Sequence, residues 1–206
     1  MFASGRRASF RGDSVPPQIV GVHFMTVHPE KPDKTDLILL LLAAPTTDPT
    51  QEFRCNGVTR LEKLLFLLEH EFQIESELSD SFDFEPYHYG PYSKQVYDAV
   101  DLLRSLKLLL VEQHEVRSGL DLGELNESLD RTDLGAGSEY VEQQISLTDS
   151  GKAVAQVLSR RLSEQGKEAL TAVKDRYGAM PLRQLLRYVY EKYENYTVAS
   201  RIKESL

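Results

Sequence analysis

The stretch that decides the fold runs from Gly57 to Gly151. It opens with GVTRLEKLLFLLEH (57–70), passes through YHYGPYSKQVYDAVDLLRSLKLLLVEQHEV (87–116) and ends with ISLTDSG (145–151). Leu61, Leu64, Leu65 and Leu68 fall at i, i+3, i+4 and i+7, the spacing of a helix with one apolar stripe. Thr59 and Glu62 have the S/T-x-x-E spacing of a capping box, so the helix is expected to start there, with Glu62, Lys63, Glu69 and His70 mostly on its outer side. Tyr87 and Tyr89 share one face of a short extended segment, and Gly90-Pro91 reads as a turn. Ser93 is expected to cap a third helix with Val96, Val100, Leu103 and Leu106 inward. Leu108–Val116 and Tyr140–Leu147 read as two strands, with Leu110 and Val111 placed to pair or pack. Residues 117–138 between them hold four glycines and no periodicity, a long loop. Thr148 and Asp149 then cap a helix carrying Val154, Val157, Leu158 and Leu162.

Working outward, Asp33 and Asp36 can cap a helix that is apolar almost all round through Leu37–Ala44, hence buried, and Pro45 ends it. Beyond residue 160, Leu170, Val173 and Tyr177 mark another helix closed by Gly178. Pro181 takes a first helical position before the stripe Leu182, Leu185, Leu186, Val189 and Tyr193, and Thr197 caps a terminal helix. Residues 1–33, with Arg and Ser in excess and Pro16, Pro17 and Pro32, lack the apolar core of a secretory signal and read as a disordered extension, with Met25 as an alternative start. The expected fold class is mainly α (α+β). Residues 34–160 form a winged-helix-like domain of three helices and a two-stranded hairpin, with 161–206 as a C-terminal helical extension.

Composition bounds the function. At 206 residues, 41% hydrophobic and 27% charged, the chain is globular in type and large enough to bury a core. Its longest apolar run, Leu37–Ala44, is far short of the ~20 residues of a membrane span. A single cysteine, Cys55, excludes a disulfide framework and a thiolate-rich zinc site, and suits the cytoplasm. The net charge of -8 argues against a general nucleic-acid coat, but it is unevenly spread. Residues 36–150 carry eight basic and twenty-three acidic groups; residues 151–206 carry eleven basic and six acidic.

No catalytic or cofactor motif is complete. His70-Glu71 lacks the second histidine of H-E-x-x-H at Ile74, and His114-Glu115 lacks it at Ser118. Gly151-Lys152 lacks the upstream glycine of a phosphate-binding loop, and 135–138 (GAGS) fits no glycine-rich signature. Cys55 reads as inert, and Asp80, Asp83 and Glu85 as a solvated acidic loop rather than a cation site. The expectation is therefore no enzyme, no cofactor and no metal.

The segments GVTRLEKLLFLL, YHYGPYSKQVYDAVDLLRSLKLL and ISLTDSGKAVA together resemble the YwgA-like proteins and the related Panacea domain of SocA-like antitoxins. The motif residues are Tyr89, Gly90, Pro91, Tyr92 and Ser93, and the L-T-x-x-G junction of Leu147, Thr148 and Gly151. The resemblance covers about residues 57–160, half of the chain. It implies a winged-helix regulator or antitoxin, phage-associated in several cases, without catalytic activity. The long acidic wing and the N-terminal extension depart from it.

Two functional readings follow. In the first, the chain is a DNA-binding transcription regulator, a homodimer through its C-terminal helices. Its third helix then presents Lys94 and Gln95 to bases and Arg104 to the backbone, and the wing adds Arg117. Arg160, Arg161, Arg183 and Arg187, interleaved with tyrosines, offer a second basic face. In the second reading it is a protein-binding module, a subunit of a phage-defence, toxin–antitoxin or repair assembly. Asp98 and Asp101 on the third helix, and an acidic wing, repel phosphates and favour this reading. His88 and its flanking tyrosines are expected to pack the turn rather than meet a ligand.

Overall fold

The computed structural model describes residues 30–87, 90–115 and 141–196. Among these, six α-helices accompany two small antiparallel sheets, one of three strands and one of two, an α+β arrangement dominated by helix. The helices are α1 (Lys34–Ala43), α2 (Val58–His70), α3 (Lys94–Ser105), α4 (Asp149–Ser159), α5 (Glu164–Tyr177) and α6 (Leu182–Lys192). The strands are β1 (Arg54–Asn56), β2 (Glu85–Tyr87), β3 (Gly90–Tyr92), β4 (Leu109–Glu115) and β5 (Val141–Leu147). The expected N-terminal extension, apart from its last residues, the loop tip, Arg117, His88, Tyr89 and the helix after Thr197 lie outside the described residues.

α1 begins at a capping box. The Asp33 carboxylate accepts the Asp36 amide at 2.7 Å, and Asp36 accepts the Asp33 amide at 3.2 Å. All six residues Leu37–Leu42 are buried, because α3, α4, α5 and β5 pack around the helix. The three-stranded sheet has the order β1-β5-β4, with Cys55 opposite Ile145 and Val111 also opposite Ile145. β1 is not foreseen from the sequence. Its three residues are too few to show alternation, and its pairing with β5 is wholly long-range.

The junctions explain the L-T-x-x-G motif. The α3–β4 turn places Lys107 at φ 60, and the Thr148 hydroxyl donates to the Lys107 carbonyl at 2.7 Å while accepting the Gly151 amide at 3.0 Å. A β-carbon at Gly151 would lie 2.2 Å from the Leu108 carbonyl oxygen, so the L-T-x-x-G junction requires glycine for close approach.

Leu61, Leu65, Leu68, Val96, Val100, Leu103 and Leu147 are buried, as the stripes predict. Several other expectations are corrected. Thr59 and Glu62 form no capping box: α2 starts at Val58 with Gly57 as its cap residue, and Glu62 is drawn inward instead. Glu62, Lys63 and Glu69 are buried rather than outward. Gly90-Pro91 is the start of β3, hydrogen-bonded antiparallel to β2, not a turn. Ser93 holds the cap position of α3, but its hydroxyl makes no cap bond. Leu106, Leu110 and Val157 face outward; Ala99 and Ala155 take inner positions. Leu106 ends α3 as its cap residue, where the helical stripe no longer applies. Leu110 follows the buried Leu109 and so points from the other side of the sheet. Pro181 is the cap residue of α6 rather than its first helical residue.

Candidate functional site

The motif region is a hairpin seated on α2. Glu62 and Lys63 are consecutive on α2, 2% and 1% exposed at the side chain, with Nζ–Oε2 at 2.6 Å. Lys63 Nζ also donates to the Pro91 carbonyl at 2.6 Å, and Glu62 Oε1 accepts the Ser93 amide at 3.0 Å. One buried ion pair thus satisfies the two backbone groups that bracket Tyr92. Burial pulls the Lys63 pKa down, and the adjacent Glu62 charge opposes that shift. Gly90 has φ +85, and a β-carbon there would meet the Tyr190 ring at 3.2 Å. Gly90, Pro91 and Ser93 therefore attach β3 to α2 and α6. On the outside, the rings of Tyr87, Tyr92 and Tyr97 follow one another at 4.9 and 5.5 Å.

The outer face of α3 follows. Lys94 is paired with Asp98 at 2.6 Å across one helical turn. Gln95 Nε2 donates to Asp83 Oδ2 at 2.6 Å, and its amide oxygen accepts the Asp83 amide at 3.2 Å. Both residues expected to read bases are thus engaged by aspartates. Asp101 and Arg104 are exposed beyond them. Leu102 is 49% and Leu106 58% exposed, one turn apart.

The basic C-terminal face is distributed differently from its sequence pattern. Arg160 and Arg161 are exposed at the end of α4, and Arg161 donates weakly to the Glu30 carbonyl at 3.5 Å. Arg187 is exposed and Arg183 half-buried on α6, which packs against α2 and β3, whereas α4 packs against α1 and β5. The tyrosines between the basic residues turn inward. Tyr177 and Tyr190 are buried, and Tyr177 and Tyr188 each donate to Glu71 at 2.9 Å. Lys192 reaches Glu71 at 3.0 Å and Arg176 at 3.4 Å. Burial acts to raise the Glu71 pKa, but hydrogen bonds from Lys192, Tyr188 and Tyr177 hold it below the ordinary carboxylate value. His70 stacks on Phe66 at 4.1 Å and meets the Tyr196 hydroxyl at 3.0 Å. Lys174 is buried and donates to the carbonyls of Leu42 and Ala44 at the end of α1, at 2.6 and 2.9 Å. Burial pulls its pKa down to about 8.

Glu62, Lys63 and Glu71 are absent from the sequence-derived site. The only signal of Glu62 and Lys63 is charge within otherwise leucine-rich α2, and Glu71 directly follows its last residue. Cys55 is buried, and burial pushes its thiol up to about 12, the condition of an unreactive cysteine. Among the described residues no cluster of metal-ligating side chains occurs, and no helix is long and apolar enough to cross a membrane. No family model, curated protein or solved structure matches the chain.

Proposed function

We propose that the chain is a non-catalytic, antitoxin-like regulatory protein with a winged-helix core, which works by engaging a protein partner through the outer face of α3. The core assignment is supported by the order α1, β1, α2, α3, β4, β5, interrupted between α2 and α3 by the added β2–β3 pair, with β5 between β1 and β4 in the three-stranded sheet. The single observation that carries the choice of partner is the α3 face itself. Its would-be base readers each stand beside an aspartate, Asp98 and Asp83, whose negative charge opposes phosphates, and it then presents Asp101, Leu102 and Leu106. A DNA-binding helix needs free donors and positive charge next to phosphates. A protein-binding helix needs exposed apolar side chains with a polar surround. Dimerisation through the apolar faces of α5 and α6 is disfavoured, because Leu170, Val173, Leu185 and Val189 are already spent in the core. The buried, unreactive Cys55 suits a cytoplasmic setting.

The second reading, DNA binding, keeps one supporting observation: Arg160 and Arg161 are adjacent and exposed. A salt titration of duplex binding by fluorescence polarisation separates the two. The protein-partner reading expects a log–log slope near zero, unchanged by Lys94→Ala or by Arg160→Ala with Arg161→Ala. A steep slope that falls by about one unit per arginine removed establishes the DNA reading instead.

A further inference from the structure

A cleft of about 870 Å³ opens between α1, α4 and α5, on elements other than the α3 face. Its size lies within the roughly 300–1,000 Å³ of small-molecule sites. Leu40 and Leu170, both buried, contribute to its lining, along with the Phe53 ring. Its lining includes two cations, Lys152 and Lys167, and one carboxylate, Glu168. Lys152 stands 5.0 Å from the Phe53 ring centroid. Each lysine is paired only within its own helix among the described ion pairs. Lys152 meets Asp149, which is 99% exposed, and Lys167 meets Glu164, which is 85% exposed. Pairs of this kind are worth little in water, so either ammonium can turn to an anion in the cleft at small cost. Along α4 the lining runs from Lys152 to Ser159, roughly 10 Å at 1.5 Å per residue.

We propose that this cleft binds one amphipathic carboxylate, with an unbranched acyl chain along the apolar lining and its head on a lining lysine ammonium. The apolar walls match the chain, and Lys152 or Lys167, turned from its exposed intrahelical partner, supplies the positive charge for an anionic head. Neutral Gln156, Ser159 and Thr171 on the lining add hydrogen-bonding groups without opposing charge.

Decanoate, held below its micellar concentration, is the probe, titrated calorimetrically into the full chain beside decanol. The expected result is saturable one-to-one binding that raises the melting temperature, with decanoate favoured over decanol. The double variant Lys152→Ala with Lys167→Ala should weaken decanoate by at least about threefold and leave decanol unchanged. Ala153→Trp fills the cleft from an exposed position of α4 and should abolish both. If that variant melts early, Thr171→Trp on α5 provides the same block. The proposal is overturned by non-saturable binding, by wild-type binding in a blocked variant that folds, or by equal affinity for decanol with the lysine variant silent. A concentration-dependent doubling of mass that either tryptophan removes assigns the cleft to a second copy of the chain, and overturns it too.

Discussion

Glu69 sits on α2 with Oε1 accepting the Phe82 amide at 2.9 Å, while Oε2 has no hydrogen-bond partner among the described residues. Burial pushes its pKa up to about 7, partly offset by the Phe82 amide; the charges of Glu75 and Asp80 add to the rise and Lys34 opposes it. The unfolded carboxyl ionises near 4.5, so between pH 4.5 and 7 the unfolded state has lost a proton that the folded state keeps. Stability from this group is therefore full below the unfolded value and falls as pH rises to about 7, then levels. Glu69→Gln removes the titration while keeping the shape. Each unit of pKa difference is about 1.4 kcal/mol, so the wild-type advantage over Glu69→Gln should decline by roughly 2–3 kcal/mol across that window. Urea unfolding of both proteins at pH 4.5, 5.5, 6.5 and 7.5 reads it directly. Burial shifts His70 downward, an opposite trend common to both proteins that cancels in the difference. A difference that is flat with pH means that Glu69 is solvated. Nothing in the sequence signals this residue. Helical spacing assigns Glu62, Lys63 and Glu69 to an outer side, but α2 is enclosed by β3, α5 and α6 and has little outer side left. The pattern identifies which face is most apolar; it does not say how many faces are covered.

At the scale of elements, the stripes of α2 and α3 and the N-caps of α1 and α4 are legible because each depends on residues within a turn or two. The attachment of the 85–92 hairpin is not, because its partners lie 28 and 31 residues upstream on α2. The motif Gly90, Pro91, Tyr92, Ser93 can be noticed in the sequence, but its work is visible only once Lys63, Glu62 and Tyr190 stand beside it. That work has a measurable consequence. Lys63→Met leaves Glu62 buried with an uncompensated charge and strips the Pro91 carbonyl of its donor. Breaking one partner of a buried pair costs about 3–5 kcal/mol, so the urea midpoint should fall sharply with an unchanged slope. Glu62→Gln added to Lys63→Met removes the stranded charge and should recover part of that loss, since the amide oxygen can still accept the Ser93 amide. If Lys63→Met alone costs less than about 1 kcal/mol, the pair does not hold the hairpin.

Across the whole molecule, the sequence suggests a core ending at residue 160 followed by a helical extension, and the two are physically interlocked. Leu170, Val173 and Tyr177 of α5 and Leu185 and Val189 of α6 belong to the same buried cluster as the α1 and α2 leucines. Lys174 supplies the donors for the carbonyl end of α1, and Tyr177, Tyr188, Arg176 and Lys192 converge on Glu71 at the end of α2. Removing residues 161–206 would therefore expose an apolar side of α2 and orphan both polar networks at once. A chain of 1–160 is expected to lose its cooperative urea transition and its near-ultraviolet dichroism, although α1, α2 and α3 retain strong helical patterns. Loss of packing with surviving secondary structure is the signature of a molten state, and dye binding to exposed apolar surface should rise with it. The opposite outcome is equally clear. A sharp, reversible transition in 1–160, with a slope scaled to its shorter length, would make α5 and α6 a separable extension and leave the α3 face as the property of a self-sufficient core.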